Sequence, residues 1–300
     1  MDIQEQVDLF PHTTLRMRVK AKYFCIARSR EDLITAQHYA SEHALKLLIL
    51  GGGSNIAITS PEVDALVVKN LYMKKEIVEE AHDYVDLSVS SGYPVGKLVN
   101  ETADAGYAGI EYHLGLPGTV GGALYMNSKW THPECYFGDA LYRAYLLDSK
   151  GTIRRVDRDY FNFAYDYSIL HDSREILLEA VFRFKKLDPA VLRKRADDAK
   201  EYRKKTQPTG VASSGCFFQN ITDDEQQKAG LDTKSAGSLV DKSGLKNFRV
   251  GNFVVSPDHA NFIINQGDGD PADLKEMLRM IKQKVKEKFS IALREEVIAV

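Results

Sequence analysis

The chain has 300 residues, 44% of them hydrophobic and 10% aromatic, enough to bury a core and to divide into roughly two or three domains. Its 40 basic and 42 acidic residues are mixed along the sequence and leave a formal net charge of -2, which favours neither nucleic acid nor an anionic membrane as a partner. Cys25, Cys135 and Cys216 are odd in number and show no paired CxxC or CxxH spacing, so reduced thiols are expected in place of a disulfide framework or a zinc site.

No histidine cluster or carboxylate pair has metal-ligand spacing, and no metal is expected. The opening MDIQEQVDLFPHT lacks a basic start followed by an apolar run, and nowhere do about 18 consecutive apolar residues occur. A cytoplasmic location, with no membrane segment, is the expectation.

In chain order, residues 31 to 46 carry apolar side chains at helical spacing and lead into a short apolar run, Lys46 to Leu50, read as a buried strand. A glycine loop follows at once. Ala65 to Lys69 and Tyr84 to Ser90 are valine-rich strand candidates, and Pro94 opens a helix running to Asp104. After a glycine-rich stretch at 115 to 123, Arg143 to Asp148 and Thr152 to Val156 flank Ser149-Lys150-Gly151 as a hairpin, and Ile176 to Phe184 is a further strand. The charged run from Pro189 to Lys205 reads as a solvated helix at a domain boundary. Beyond it come a short helix from Ser235 to Lys242, strands near Val250 and Phe262, and a long helix from Pro271 to Phe289. Its apolar stripe is Leu274, Met277, Leu278, Ile281, Val285 and Phe289. There is no internal repeat.

Two glycine segments carry the first chemical signal. In Leu50-Gly51-Gly52-Gly53-Ser54-Asn55, consecutive glycines let backbone amides face a diphosphate, although an isolated GGG is equally a tight turn needing positive φ. It lacks the GxGxxG fingerprint, because no helix pattern begins directly behind it. In Gly115-Leu116-Pro117-Gly118-Thr119-Val120-Gly121-Gly122-Ala123, four glycines and a proline make a loop both sharply turned and stiff. About sixty residues apart, the two could grip one extended diphosphate cofactor with amide donors in place of basic side chains.

LGGGSN at 50 to 55 and GIEYHLGLPGTVGGALYMNS at 109 to 128 resemble the two flavin-binding signatures of the UDP-N-acetylenolpyruvoylglucosamine reductase family, also called UDP-N-acetylmuramate dehydrogenase. The resemblance continues through TTLR at 13 to 16, SSGCFFQN at 213 to 220, the stretch from 235 to 265, and LREEV at 293 to 297. It implies an α+β protein with a two-part FAD-binding domain of the vanillyl-alcohol-oxidase (PCMH) type, divided here as 1–69 and 70–188, and a substrate-binding domain at 189–300. No long tyrosine-bearing insertion is found, so the chain resembles the shorter subtype. The implied activity is NADPH-dependent, FAD-mediated reduction of UDP-N-acetylglucosamine enolpyruvate to UDP-N-acetylmuramate. This serves peptidoglycan precursor synthesis, cell shape and cell division, in a monomer whose partners are the UDP-sugar and NADPH.

The resemblance also assigns residues. The reaction needs a proton donor for the carbon beside the substrate carboxylate and donors that steady an enolate-like intermediate. Where the family has a serine as proton donor this chain has Cys216, a far stronger acid with a reference pKa of about 8.5, which makes the site sensitive to pH near neutrality. Glu296 matches the family's C-terminal glutamate, and strand alternation predicts that Glu295 and Glu296 point to opposite sides. Tyr165, Asn220 and Asn261 match positions near the nucleotide substrate. His259 is assigned no chemistry.

One departure is larger. The family's Tyr-Arg-x-Ser is here Tyr165-Asp166-Tyr167-Ser168, so an acid stands where an arginine steadies the substrate carboxylate. Either Asp166 faces away or pairs with a base while Lys129 or Arg174 supplies the charge, or the activity is altered. The alternatives left open are an FAD-dependent sugar or alcohol oxidoreductase of the same fold, and a non-catalytic flavin- or UDP-sugar-binding protein. Arg18, Val19 and Lys20 replace the GGP expected after TTLR, and Ser128 to Pro133 form a longer stretch than usual, in which Trp130 and Lys129 either cover the isoalloxazine or bind a carboxylate, or Trp130 lies on an exposed loop, the commoner case.

Overall fold

The computed structural model describes all 300 residues, and the chain divides into two compact units. The first comprises Met1–Glu5, Tyr23–Gly52 and Ala65–Lys205; the second comprises Gln6–Lys22, Gly53–Asp64 and Thr206–Val300. Each contains both strands and helices, an α+β arrangement.

In the first unit, Ser29 starts the helix Arg30–Glu42 through a capping box: its hydroxyl accepts from the Asp32 amide at 3.1 Å, and the Asp32 carboxylate accepts from the Ser29 amide at 3.0 Å. The helix buries Leu33, Ala36 and Ala40 in one cluster with Ala27, Leu66, Val68 and Leu178. The strand Leu47–Leu50 runs parallel to residues 66–69, which sets Leu50 opposite Lys69.

A six-stranded antiparallel sheet forms the body of this unit. Its order is Ile153–Asp157, Leu141–Leu147, Ile176–Lys186, Tyr84–Ser90 and Lys75–Glu80, with Tyr107–Ala108 pairing on the end of Ile176–Lys186. The predicted hairpin is there, closed by Asp148, whose carboxylate accepts from the Lys150 and Thr152 amides at 2.8 Å. The edge strand Lys75–Glu80 is exposed throughout and carries charged groups at both ends, which discourages pairing with another chain. Pro94 precedes the helix Val95–Asp104, whose Val95, Leu98 and Val99 join a core with Val85, Leu87, Phe137, Phe161, Phe182 and Phe184. Each such side chain contributes about 1.5–3 kcal/mol when fully buried.

Where the central strands pair, Arg183 stands opposite the fully buried Asp86 and donates to both carboxylate oxygens at 2.7 Å. The guanidinium also lies over the rings of Tyr84 and Tyr142, at 4.3 and 3.9 Å. The charged run after residue 188 is the helix Pro189–Thr206, which buries only Leu192, Ala196 and Ala199 and groups with the first unit as far as Lys205.

Two expectations for this unit need correction. The second glycine segment is only half a loop, because the helix Val120–Tyr125 begins inside it behind Thr119. Trp130 is not on an exposed loop. It lies in the strand Lys129–Thr131, paired with Glu134–Tyr136, and is 4% exposed. Its indole donates to the His132 carbonyl at 2.7 Å, and the Arg203 guanidinium covers its ring at 4.6 Å. The burial follows from the helix Pro189–Thr206, whose long side chains roof the hairpin; sequence order alone does not bring them together.

In the second unit, Arg249–Val250, Phe253–Val255 and Ile263–Asn265 form an antiparallel sheet. The helix Pro271–Phe289 is capped by Asp270, which accepts from the Ala272 amide at 2.7 Å, with Pro271 at the first helical position. Leu274, Met277, Leu278, Ile281 and Val285 are buried as the stripe predicts, while Phe289 at its end is only half-buried. The C-terminal strand Ile298–Ala299 runs parallel to Ile56–Ala57. No helix of the chain is long and apolar enough to cross a membrane.

Candidate functional site

The two glycine segments meet inside the first unit. A β-carbon on Gly51 would collide with the Thr119 hydroxyl, and one on Gly52 would lie 2.6 Å from the Gly118 Cα. Only residues without side chains allow this approach. The second segment is anchored from below by the stretch before the helix Val95–Asp104. The Val120 amide donates to the Tyr93 carbonyl at 2.9 Å, the Gly121 amide to the Ser91 carbonyl at 2.8 Å, and the Val95 amide to the Gly118 carbonyl at 3.1 Å. Gly115 and Gly118 take φ values of +87° and +109°, with Pro117 stiffening the turn between them. Gly122 faces open space, with nothing nearer than the Thr119 hydroxyl at 3.9 Å, and Ala123 turns into the core.

The donor set here is backbone amide, threonine hydroxyl and one ammonium, that of Lys69, which donates to the Gly51 carbonyl at 2.6 Å. It suits a diphosphate, and so fits the FAD that the resemblance implies. Lys69 was missed in the sequence, where Val67-Val68-Lys69 reads as an ordinary strand end. Its place follows from the parallel register that sets it opposite Leu50.

His113, at the root of the second segment, is fully buried, and burial pushes its imidazole down to about 4. Its Nε2 lies 3.0 Å from the Ser128 carbonyl, which can only accept, so that nitrogen carries the hydrogen; Nδ1 has no hydrogen-bond partner. Farther along, the Asn127 amide bridges the Ala164 carbonyl at 3.0 Å and the Gly138 amide at 3.2 Å. Lys129 lies 5.6 Å from the Tyr165 ring centre and 5.5 Å from that of Tyr136, and pairs with Glu134 at 2.7 Å. Asp166 is 8% exposed with φ of +50°, so it does not face solvent; Arg174 is exposed.

The rest of the first segment belongs to the second unit. Gly53, at φ +66°, lies against the His12 carbonyl, and its own carbonyl accepts from the Thr14 amide at 3.0 Å and the Thr14 hydroxyl at 3.2 Å. Ser54 is half-buried. Asn55 donates from Nδ2 to the Glu296 carbonyl at 3.2 Å and accepts from the Ile298 amide at 2.9 Å.

The second unit also brings Cys216 and Glu296 into one layer. Cys216 bridges to Phe262, Phe218 bridges to Glu295, and the Glu296 amide donates to the Phe217 carbonyl at 2.9 Å. The segment 216–219 therefore lies between 261–262 and 294–296. Asn261, 4% exposed, holds it from one side: Oδ1 accepts from the Phe218 amide at 3.0 Å and Nδ2 donates to the Phe218 carbonyl at 2.8 Å. Asn220 is exposed and accepts from the Ala236 amide at 3.0 Å, at the start of the helix Ala236–Lys242.

Glu295 and Glu296 are both half-buried. Glu295 is drawn in by Lys282, at 2.5 Å. Arg294 donates to both carboxylate oxygens of Glu225, at 2.6 and 2.8 Å, and this pairing holds the Glu225 carboxyl down at about 2. The pair of Arg294 with Glu225, 69 residues apart, carries no local signal. Cys25, Cys135 and Cys216 form no disulfide.

Comparison with known proteins gives two family matches, to the C-terminal domain of UDP-N-acetylenolpyruvoylglucosamine reductase over residues 207–300 and to an FAD binding domain over residues 21–157. The UDP-N-acetylenolpyruvoylglucosamine reductase of Trichormus variabilis is 32% identical over 297 residues, covering 99% of this chain and 86% of the relative. That of Chlamydia trachomatis serovar D is 33% identical over 295 residues, covering 98% and 95%. The crystal structure of the enzyme from Thermus caldophilus superposes with a TM-score of 0.80 at 28% identity, covering 100% of this chain and 99% of that one.

Proposed function

The chain belongs to the UDP-N-acetylenolpyruvoylglucosamine reductase family, and on that premise we propose that it reduces UDP-N-acetylglucosamine enolpyruvate to UDP-N-acetylmuramate, with FAD as cofactor and NADPH as hydride donor. The observation that carries this reading is end-to-end similarity to enzymes of that name in a chain whose two glycine segments pack directly on one another. Bound FAD supplies the carrier that takes a hydride from NADPH and delivers it to the enolpyruvyl double bond.

Leu50, Gly51, Gly52, Gly53, Ser54 and Asn55, with Gly115, Pro117, Gly118, Thr119, Gly121, Gly122 and Ala123, form the cofactor-binding segments. The Cys216 thiol gives a proton to the carbon beside the substrate carboxylate as the hydride arrives at the other carbon, so the double bond becomes saturated. Glu296, as a neutral acid, donates a hydrogen bond to the enolate oxygen that develops meanwhile. What supports this pairing is the layer they share, in which the Glu296 amide is bonded to Phe217, the neighbour of Cys216. Asn261 serves the substrate site through the segment it holds, while Tyr165 and Asn220 contribute substrate contacts. Lys129, near the Tyr165 ring, is the cation that stands in for the family's arginine.

The division 1–69, 70–188 and 189–300, action as a monomer, a cytoplasmic location and service to cell-wall synthesis, cell shape and division complete the reading. Purified protein carrying FAD should oxidise NADPH beyond one equivalent per flavin when UDP-N-acetylglucosamine enolpyruvate is supplied without oxygen, and failure to do so at any pH from about 6 to 9 would contradict it.

A further inference from the structure

The turn that carries Tyr165 and Asp166 is fastened to the end of the helix Val120–Tyr125, the helix that begins inside the second glycine segment. Ala164 and Tyr167 close the turn on each other: the Ala164 amide donates to the Tyr167 carbonyl at 3.1 Å, and the Tyr167 amide to the Ala164 carbonyl at 3.4 Å. Tyr165 and Asp166 form its tip, Asp166 with φ of +50°. A residue with a side chain keeps a left-handed backbone only where its surroundings fix it.

Three side-chain hydrogen bonds tie the two ends of this turn to the helix end. Asn127, just past the helix, donates from Nδ2 to the Ala164 carbonyl at 3.0 Å. On the other side, the fully buried Ser168 donates its hydroxyl to the Tyr125 carbonyl at 2.8 Å, and Nε2 of His171 lies 3.0 Å from that same carbonyl. The last carbonyls of a helix have no intrahelical donor, so side chains can serve this one. A carbonyl only accepts, which places the imidazole hydrogen on Nε2.

His171 also packs against both parts. Its ring stacks on that of Tyr125, with centroids 4.0 Å apart and planes at 21°, and lies 5.5 Å from the ring of Tyr167. Tyr167 is held in turn by its hydroxyl, which donates to Asp172 at 2.6 Å. Burial favours the neutral form of the imidazole, the form with a single hydrogen to give. One side chain therefore contacts a ring of the cofactor helix, that helix's last carbonyl and a ring of the turn.

We propose that His171 is a positioning residue for the second half-reaction: it sets the Tyr165 turn against the end of the cofactor helix, and so sets where the substrate lies relative to bound flavin. This rests on the reading that Tyr165 contacts the enolpyruvyl substrate. A misplacement of about 1 Å costs a reaction on the order of a hundredfold in rate. The glycine segments precede this junction in the chain and are packed on each other, so flavin binding and its reduction by NADPH do not depend on it.

The test uses the full-length, flavin-loaded protein and follows the two half-reactions separately by anaerobic stopped-flow: bleaching by NADPH, then reoxidation by UDP-N-acetylglucosamine enolpyruvate. Wild type is compared with Tyr165→Ala and three variants of the histidine. His171→Leu has no donor, the amide of His171→Asn is too short to reach the Tyr125 carbonyl, and that of His171→Gln reaches it. His171→Leu and His171→Asn should slow second-order reoxidation by about tenfold to a hundredfold, with flavin retention and bleaching within about twofold of wild type. His171→Gln should stay within about threefold of wild type throughout. If His171→Leu fails to fold, His171→Asn carries the same expectation with a polar side chain at this half-buried position. Wild-type reoxidation in His171→Asn beside slow reoxidation in Tyr165→Ala would overturn the proposal and leave the substrate reading of Tyr165 intact. Equal losses in both half-reactions, or a glutamine variant as slow as the asparagine one, would overturn it as well. Wild-type reoxidation in Tyr165→Ala would instead overturn the reading of Tyr165, and the proposal with it.

Discussion

The Cα of Gly52 packs so closely on that of Gly118 that an added β-carbon would stand 2.6 Å from it. Backbone cannot move aside as a side-chain terminus can, so Gly52→Ala must push the two segments apart. The variant should fold yet retain flavin at least about tenfold more weakly, read as the flavin-to-protein absorbance ratio after gel filtration. Gly96→Ala is the matched control: that glycine lies near the start of a helix with nothing within 4 Å of an added β-carbon. It should leave flavin retention unchanged and raise stability by up to about 0.5 kcal/mol in a denaturant titration.

For the proton donor, Cys216→Ala should still let NADPH reduce the bound flavin but slow reoxidation by the enolpyruvyl substrate by about 10²–10⁴-fold in a stopped-flow trace. Cys216→Ser should keep measurable turnover, with the alkaline limb of its pH profile moved upward because a hydroxyl is a weaker acid than a thiol. Unimpaired reoxidation in the alanine variant would remove Cys216 from the reaction.

How far the sequence spoke depends on how local each feature is. The glycine segments, the proline that opens the helix Val95–Asp104 and the apolar stripe of the helix Pro271–Phe289 are written in consecutive or periodic residues, and all appear where they were expected. Lys69, Trp130 and the pair of Arg294 with Glu225 were misread or missed because each owes its environment to a segment far away in the chain. The positive φ of Asp166 is of the same kind. Nothing in Tyr-Asp-Tyr-Ser announces a left-handed residue.

His113 provides a pH signature. Buried and neutral, it titrates at about 4 in the folded chain against about 6.5 when unfolded. As pH falls the unfolded state takes the proton first, so this residue's contribution is complete above about pH 6.5 and lost progressively down to about pH 4. The stability difference between wild type and His113→Gln should therefore shrink by about 3 kcal/mol across that window, and a difference that is flat with pH would refute it.

Asp86 tests the sheet that carries the cradle. With its carboxylate fully buried and bound at both oxygens by Arg183, removal leaves a guanidinium without its anion between two tyrosine rings. Asp86→Ala should cost about 3 kcal/mol in a denaturant titration. A loss below about 1 kcal/mol would place the pair among ordinary surface contacts.

The most direct measurement of the reductase assignment is a two-step anaerobic experiment on the flavin-loaded wild type. NADPH is first added in slight excess and the yellow absorbance should bleach; excess UDP-N-acetylglucosamine enolpyruvate is then added and the colour should return, with UDP-N-acetylmuramate formed in equal amount to the NADPH added. Colour that stays bleached after the enolpyruvyl substrate, or that returns without UDP-N-acetylmuramate, would contradict the account.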